Sequence, residues 1–408
     1  MKQLNFCHVT TFYPPYSAGG DGVAVQRLAR ELVKQGHRVT VVHDLDAFGT
    51  LKRSPMPPER EADDGVNVVP LKSGWGMASP LVVQQTGRPI LQRRKLAKIL
   101  DSGFDVVNFH NASLIGGPGM FELGGDALRV YTAHEHWLVC PTHILWRYKK
   151  EVCTSPDCVR CQLIYQRPPQ LWRRTSLMDD SVRHIDEFIA MSEFSRAKHR
   201  EFGFARDMHV IPPCAGSATA GGGVTSPHSR PYFFFAGRLE ESKGLQTVLP
   251  VLREFPDADL LVAGEGSLKD ELKREGGSQV VLLNQLPAEA LETYYRHAIA
   301  TLVPSLAYET FGLTVAESFR CGTPVIARNI GPFPDNVTRS GGGILFSSSD
   351  ELIAAMRSLA LDPGQRAQLG QRGRDAFLSW WEDSVSTGAY LEMIDRSLNS
   401  RRLKTRPA

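Results

Sequence analysis

Two glutamates stand eight positions apart within residues 304–322, PSLAYETFGLTVAESFRCG, which read as a strand end, a turn and a helix. Glu309 precedes the expected helix and Glu317 lies inside it, so a rise of about 1.5 Å per residue separates them by roughly 12 Å along the axis. Carboxylates at that spacing suit hydroxyl groups at the two ends of one extended diphosphate ligand. Two solvated surface glutamates are the alternative.

The start of the same expected helix is a candidate anion site. The backbone N–H groups of Phe311, Gly312 and Leu313 would have no partner inside the helix and would face a phosphate, favoured by the positive end of the helix dipole. Gly312 has no side chain to block that approach. We therefore expect the diphosphate to lie between Glu309 and Glu317.

Two cations occur in residues 236–244, AGRLEESKG. Arg238 and Lys243 follow the end of an expected strand, which is the side on which ligands bind in doubly wound sheets. Together they could hold a diphosphate and neutralise the charge that grows on a departing phosphate. Ordinary surface charge is the alternative, because most Arg and Lys side chains are exposed.

The elements that must position these residues alternate between strands and helices in both halves of the chain. With 408 residues the chain exceeds the size of one core, and the alternation predicts two doubly wound, Rossmann-like domains facing a cleft. The predicted parts are an N-terminal domain over 1–212, a linker over 213–230, a C-terminal domain over 231–379, and a final helix and tail over 380–408 that crosses back. The expected strands are 5–9, 39–43, 66–71, 105–109, 128–133 and 187–191 in the first half, then 232–236, 260–263, 280–283, 300–303 and 324–327.

Composition limits the classes of partner. The formal net charge is only +3, which argues against nucleic acid as the partner. No apolar run approaches the roughly 20 residues needed to cross a bilayer, and no signal peptide is evident. We expect a cytoplasmic protein, with peripheral contact at the cytoplasmic membrane face as the further option.

Taken together and in order, the motifs GRLEESKG, GEG, PSLAYETFGLTVAES and GTPVIA resemble the family 4 glycosyltransferases, which have the GT-B fold. Residues 232–346 carry the resemblance most strongly. It implies that Glu309 and Glu317 form the family's two-glutamate motif. It also implies that Arg238 and Lys243 are its diphosphate-binding pair.

The resemblance implies further site residues. Gly266, in GEG, would lie at the donor site, and Gly19 and Gly20, before the first helix, would approach the donor phosphate. His134, in YTAHEH, matches the family's active-site histidine near the donor sugar, although Glu135 stands where the family has Asp. A structural histidine is the rival interpretation of His134.

Two further features concern the acceptor and the base of the donor. His110 and Asn111 occupy the equivalent strand end one unit earlier than His134 and could line the acceptor side. Residues 283–286, LNQL, lack the glycine that the family commonly has near the donor base. The choice among UDP, GDP and ADP is therefore open.

The resemblance implies a retaining hexosyltransferase that moves a sugar from a nucleotide diphosphate sugar to a glycan, lipid-linked or small-molecule acceptor, with no cofactor needed for catalysis. No Asp or Glu pair is evident in the sequence as the nucleophile and acid of a double displacement, which favours front-face attack. A sugar-nucleotide epimerase or phosphorylase of the same fold is the alternative. A dinucleotide-dependent oxidoreductase, supported only by Asp44 without a G-x-G-x-x-G motif, and a non-catalytic binding module are weaker rivals.

Four of the seven cysteines cluster at Cys140, Cys153, Cys158 and Cys161. The spacing predicts a structural zinc site, with an iron–sulfur site or plain reduced thiols as alternatives. They belong to a Cys-rich basic insertion at about 138–175. Its stretch 146–174 carries seven Lys or Arg against two acids and could face an anionic acceptor or a lipid headgroup surface, or be a solvated basic face.

Overall fold

The computed structural model describes residues 2–17, 19–51, 62–217 and 225–405. These fall into two compact units. The first unit is Met1–His143, Pro156–Cys214 and Asp383–Ala408, and the second is Ile144–Ser155 and Ala215–Glu382. Residues 218–224 of the predicted linker lie outside the described residues.

The elements up to residue 214 follow in this order: β1 Asn5–Val9, α1 Gly20–Lys34, β2 Arg38–Asp44, α2 Leu45–Leu51, β3 Ala62–Asp63, β4 Val66–Leu71, α3 Ala78–Thr86, α4 Arg93–Leu100, β5 Val106–Phe109, β6 Leu128–Ala133, β7 Trp146–Arg147, β8 Glu151–Val152, α5 Cys158–Ile164, α6 Leu177–Val182, β9 Glu187–Ala190, α7 Glu193–Glu201 and β10 His209–Val210. Short 3₁₀ turns occur at Pro118–Met120 and Leu171–Arg174. The hairpin β7–β8 is antiparallel and belongs to the second unit.

The sheet of the first unit has the strand order β10-β9-β6-β5-β1-β2-β4-β3. Its pairs are parallel except β3–β4, which is antiparallel. Without the two short edge strands β3 and β10, this is the 3-2-1-4-5-6 order of the doubly wound dinucleotide fold. The strands are short apolar runs buried on both faces, as in parallel sheets covered by helices.

The remaining elements are β11 Tyr232–Ala236, α8 Leu249–Leu252, β12 Asp259–Ala263, α9 Lys269–Glu275, β13 Val280–Asn284, α10 Ala288–His297, β14 Thr301–Val303, α11 Leu313–Arg320, β15 Val325–Arg328, α12 Phe333–Ser340, β16 Gly343–Phe346, α13 Ser349–Leu361, α14 Pro363–Trp380 and α15 Asp383–Thr405. Further 3₁₀ turns lie at Glu241–Lys243, Leu245–Thr247 and Gly277–Gln279. The second sheet has the order β13-β12-β11-β14-β15-β16 and is parallel throughout. It repeats the 3-2-1-4-5-6 order, so the predicted fold class of two Rossmann-like domains is confirmed.

The C-terminal helix α15 belongs to the first unit. Its Tyr390 hydroxyl accepts a hydrogen bond from Asn108 on β5 at 3.2 Å, and Ser397 donates to Glu187 on β9 at 2.5 Å. Arg401 pairs with Asp186 just before β9. The helix is therefore fixed along the sheet by polar contacts as well as by its apolar face.

No helix within the described ranges is long and apolar enough to span a membrane.

Candidate active site

The predicted diphosphate-binding residues converge at one point of the second sheet. Strands β11 and β14 are neighbours where the strand order reverses, and such switch points are where doubly wound sheets bind ligands. Arg238 and Lys243 follow β11, and Glu309 follows β14. The backbone alone thus brings together residues that are about seventy positions apart in the sequence.

Lys243 and Glu309 form a direct ion pair. The Lys243 Nζ lies 2.7 Å from Glu309 Oε1, and the Ser305 hydroxyl donates to the same oxygen at 2.8 Å. Burial raises the pKa of Glu309, but Lys243, Ser305 and the more distant Arg238 outweigh it and bring the pKa below its usual value. The carboxylate is therefore ionised and accepts hydrogen bonds only.

Two of the predicted glycines sit where a side chain would not fit. Gly312 has φ of +87°, and a Cβ there would lie 2.5 Å from the Phe333 ring. A Cβ on Gly266 would lie 2.4 Å from the carbonyl oxygen of Leu239. Both glycines therefore allow close packing of the loops that follow the strands.

Helix α11 begins directly after Gly312, so its first backbone N–H groups, beginning with that of Leu313, have no partner inside the helix. Phe311 is buried and packs edge-on against Trp381, with ring centroids 5.6 Å apart. Its carbonyl accepts a hydrogen bond from Asn336 at 2.7 Å, which fixes the turn. The anchored turn holds these amides in one orientation.

Glu317 lies in the middle of α11 and is half-buried. Its Oε2 accepts a hydrogen bond from the hydroxyl of Tyr295 at 3.3 Å, and the Tyr295 side chain is fully buried. Burial and the Glu317 charge raise the pKa of Tyr295. Tyr295 therefore stays protonated and orients the carboxylate, a role that the sequence motifs did not indicate.

A second cluster forms at the equivalent switch point of the first sheet, between β1 and β5. Gly19, in extended conformation, precedes α1, and Gly20 is its first residue. Asp21 in the same turn accepts a hydrogen bond from Asn111 at 2.9 Å. An anion approaching the two glycines would therefore meet a carboxylate in the same turn.

His134 follows β6 and contacts another histidine. Its Nε2 lies 2.9 Å from Nδ1 of His110. Burial lowers the pKa of His134, and the Asp21 and Glu135 carboxylates oppose this without cancelling it. Glu135, the residue that departs from the family pattern, pairs with His143 at 2.7 Å.

Two residues of this cluster were not identified from the sequence motifs. His8 in β1 contacts His110, and the only sequence signal for it is a polar residue inside an apolar strand. Asp21 is marked only by its place after two glycines.

Asp44, the residue that supported the oxidoreductase alternative, has a structural role. Its Oδ1 accepts hydrogen bonds from the backbone N–H groups of Asp46 at 2.9 Å and Ala47 at 3.1 Å, at the start of α2. Burial and the Asp46 charge raise the pKa of Asp44 to about 7. The buried Asp44 carboxyl is therefore already used to accept hydrogen bonds within this turn.

The four clustered cysteines, all within the described ranges, are not joined in disulfides. Cys140 Sγ lies 3.3 Å from the Thr142 hydroxyl, and Cys153 Sγ donates to the Ser155 carbonyl at 3.6 Å. In the part of the chain that the structure describes, no three His, Cys, Asp or Glu side chains are grouped to hold a metal ion. The structure thus gives the predicted zinc or iron–sulfur site no support.

The basic insertion uses part of its charge for packing. Arg173 lies over the rings of Trp137 and Trp172, at 5.3 and 4.8 Å from the centroids, and donates to the Trp137 carbonyl at 2.8 Å. Arg147 pairs with Glu151 at 2.6 Å. Arg173 thus joins the insertion to Trp137 just before it, and Arg147 pairs within the insertion.

Comparison with known families agrees with this architecture. Residues 223–376 match the model described as Glycosyl transferases group 1, and residues 18–215 match Glycosyltransferase Family 4. The structure is similar to sucrose-phosphate synthase from Thermosynechococcus elongatus, with a TM-score of 0.72 at 20% identity over 97% of this chain and 100% of that one. It is also similar to the Anabaena protein HepE in complex with UDP, with a TM-score of 0.64 at 15% identity over 96% and 100%. The two family models and the shared fold together define a GT-B glycosyltransferase.

Relatives in sequence give the family. The chain is 31% identical to glycogen synthase from Mycobacterium tuberculosis, covering 92% of this chain and 91% of the relative. It is 27% identical to the D-inositol 3-phosphate glycosyltransferase of Nocardiopsis dassonvillei, covering 89% and 87%. The chain belongs to family 4 of the glycosyltransferases, and the predicted enzyme class is confirmed.

Proposed function

We propose that this enzyme transfers a hexose-type sugar from a nucleotide diphosphate sugar to an acceptor hydroxyl, with retention of anomeric configuration. The observation that carries the proposal is the cluster of Lys243, Glu309 and the start of α11 at the switch point of the second sheet. Cations and backbone N–H groups suit a diphosphate, and carboxylates suit sugar hydroxyls. The complex of HepE with UDP supports a nucleotide diphosphate ligand.

In this proposal the diphosphate lies at the N–H groups of Gly312 and Leu313, with Arg238 and Lys243 as counter-charges. As the glycosidic bond breaks, negative charge grows on the leaving phosphate, and these fixed groups stabilise it. The phosphate accepts the proton of the attacking hydroxyl on the same face of the sugar. The bond to the acceptor oxygen then forms as the bond to the phosphate oxygen breaks.

The carboxylates serve as hydrogen-bond acceptors. Glu309 is already bonded to Lys243 and Ser305, which suits an acceptor for sugar hydroxyls better than a nucleophile. Glu317, oriented by Tyr295, would accept from the ribose. In the first unit, His134 would donate a hydrogen bond to a hydroxyl of the donor sugar.

The acceptor is proposed only by class. The relatives named above include an inositol phosphate glycosyltransferase and a glycogen synthase. A carbohydrate, lipid-linked or polyol hydroxyl is therefore the class of acceptor to test. The sugar and the base remain choices for experiment.

Donor binding is tested by thermal unfolding with UDP, GDP, ADP and their sugars. A ligand at a hundred times its Kd stabilises the native state by about 2.7 kcal/mol, so the matching nucleotide should raise the Tm. Glu317→Gln should lose most of that rise, because its neutral amide is a weaker acceptor while it can still accept from Tyr295. Tyr295→Phe is the matched control, since it removes the orienting hydroxyl and keeps the carboxylate, and it should lose less.

Turnover separates the alternatives. A transferase releases nucleotide only when an acceptor is added, a phosphorylase needs inorganic phosphate or a free nucleotide diphosphate, and an epimerase changes the sugar with no acceptor. Absence of any nucleotide-dependent Tm shift would remove the basis of the proposal.

A further inference from the structure

Three histidines of the first unit form a continuous hydrogen-bonded chain. Nδ1 of His8 lies 2.8 Å from Nε2 of His110, and Nδ1 of His110 lies 2.9 Å from Nε2 of His134. His8 and His110 are buried, with 0% and 2% of their surfaces exposed. The chain runs from His8, near the end of β1, to His134, just after β6.

The sheet explains why these residues meet. His8 pairs in register with Asn108 on β5, and Asn108 pairs with Val130 on β6. Side chains two positions apart share a face of a strand, so His110 lies on the same face as His8. His134 lies just after the end of β6, and its contact with His110 places it on the same side of the sheet.

A proton count limits the states of the chain. Each neutral imidazole carries one N–H, and each contact between two rings uses one of them. Three rings thus supply three protons for two contacts, and the third proton resides at one end. Either His134 carries it on Nδ1, or His8 carries it on Nε2, and the two states differ by the tautomer of all three rings.

We propose that His8 and His110 are positioning residues that hold the proton of His134 on Nδ1, so that His134 acts as a hydrogen-bond donor to the substrate sugar. The inference rests on the proposed function for the role of the donor, whereas the tautomer itself can be observed without substrate. It gives a purpose to two buried polar rings of the first unit.

One observation favours the state in which His134 carries the proton on Nδ1. At the other end of the chain, Nε2 of His8 is buried and has no hydrogen-bond partner among the residues that the structure describes. A proton on that nitrogen would therefore have no acceptor.

Burial keeps the three rings neutral. It lowers the pKa of His8 to about 3 and also lowers those of His110 and His134. At neutral pH the proton count above therefore applies.

The test is ¹⁵N NMR of histidine-labelled full-length protein, in which protonated and bare ring nitrogens give distinct shifts. The His134 signals among the twelve histidines are assigned by their loss in His134→Gln. The native protein should show His134 with Nδ1 protonated and Nε2 bare. Finding the proton on Nε2 would overturn the proposal, whatever the activity.

Variants of His8 test the positioning. His8→Leu removes the inner partner, so His134 should populate both tautomers, and kcat should fall about tenfold with little change in donor KM. His8→Asn, whose amide can donate to His110, should restore both readouts. His199→Asn alters another buried histidine of the unit, bonded to the Ser195 carbonyl at 2.8 Å, and should leave the His134 tautomer unchanged.

The outcomes distinguish a failure of the positioning role from a failure of the proposed function. An unchanged His134 tautomer in His8→Leu would overturn the positioning role even if the enzyme is active. If the native protein shows the predicted His134 tautomer but no nucleotide shifts its Tm, the inference about the three histidines stands and the proposed donor site is contradicted. If His8→Leu does not fold, the His134 tautomer measured in the native protein and in His8→Asn still tests the proposal.

Discussion

Lys243 and Glu309 neutralise each other at 2.7 Å in a partly exposed position, with 25% and 21% of their side-chain surfaces accessible. A diphosphate entering this site would compete with Glu309 for the ammonium group. Glu309 would then be released to accept hydroxyl groups of the sugar. In the proposed site, the pair would keep both side chains oriented until a donor binds, which is the kind of preorganisation that electrostatic catalysis needs.

Lys243→Ala should reduce kcat by roughly 10²–10³-fold, because one of the charges that stabilise the leaving phosphate is lost. Loss of the ammonium should also raise the pKa of Glu309, since Lys243 is the main group that lowers it. Steady-state kinetics with the donor identified by thermal shift would measure the first effect.

The matched control for this prediction is Lys243→Arg, which retains the charge and should keep most of the activity, although its planar fork differs in geometry. A second control is Lys269→Ala, because Lys269 forms an ion pair with Glu265 at 2.9 Å that is more exposed. If Lys243→Ala has the same kcat as Lys269→Ala, the cation does not act on the leaving group.

At the scale of elements, the end of β13 accounts for a departure from the family pattern. Asn284, in the LNQL stretch that lacks the family's glycine, has φ of +58°. Its carbonyl accepts a hydrogen bond from the N–H of Gly264 at 2.8 Å, in the GEG loop. Asn tolerates the left-handed region better than other residues with a side chain, so the backbone turn is kept without glycine.

Asn284→Gly should therefore change the free energy of unfolding by less than about 1 kcal/mol, whereas Asn284→Val should cost about 1–2 kcal/mol because a β-branched residue is strained at positive φ. Urea unfolding measures both. Gln285→Val, at the exposed neighbouring position, is the control for adding an apolar side chain. Equal effects of valine at 284 and 285 would show that backbone strain is not the reason for Asn284.

The strands were largely predictable from the sequence. Those expected at 5–9, 66–71, 128–133 and 232–236 have the observed bounds, because buried parallel strands are continuous apolar runs. The two-residue elements β3, β7, β8 and β10 were not predicted. Their length gives no periodicity, and their pairing depends on contacts made by the rest of the fold.

The candidate site was only partly predictable. Glu309 and Lys243 could be named because their motifs are local and specific. The partner of Glu317, Tyr295, lies 22 positions away on α10, and the chain from His8 to His134 joins three strands whose register the sequence does not reveal. Contacts that depend on register and packing between distant segments need the structure.

At the scale of the whole molecule, buried histidines are concentrated in the first unit. Burial lowers the pKa of seven of the twelve histidines, and all seven belong to that unit. They are His8, His37, His43, His110, His134, His136 and His199. In the second unit, Glu309 has a lowered pKa, which affects stability only at pH values below about 4.5.

The sign of the pH dependence follows from these shifts. A histidine whose folded pKa lies below its unfolded value of about 6.5 binds its proton more readily in the unfolded chain, so stability is present above pH 6.5 and is lost below it. At pH 5.5 each fully buried ring should cost about 1.4 kcal/mol. Asp44 acts in the opposite direction, because its pKa is raised to about 7, and offsets part of the loss.

Acidification from pH 7.5 to pH 5.5 should therefore destabilise the first unit by several kcal/mol and leave the second nearly unchanged. Hydrogen exchange with mass spectrometry, corrected for the intrinsic effect of pH, would report both units in one sample, with peptides of the second sheet as the internal control. Faster exchange should appear first in peptides from β1, β5 and β6, which carry or directly precede the His8–His110–His134 chain. No loss of protection at pH 5.5 would mean that these histidines titrate alike in the folded and unfolded chain. Equal loss in both units would contradict the prediction that the effect begins in the first unit.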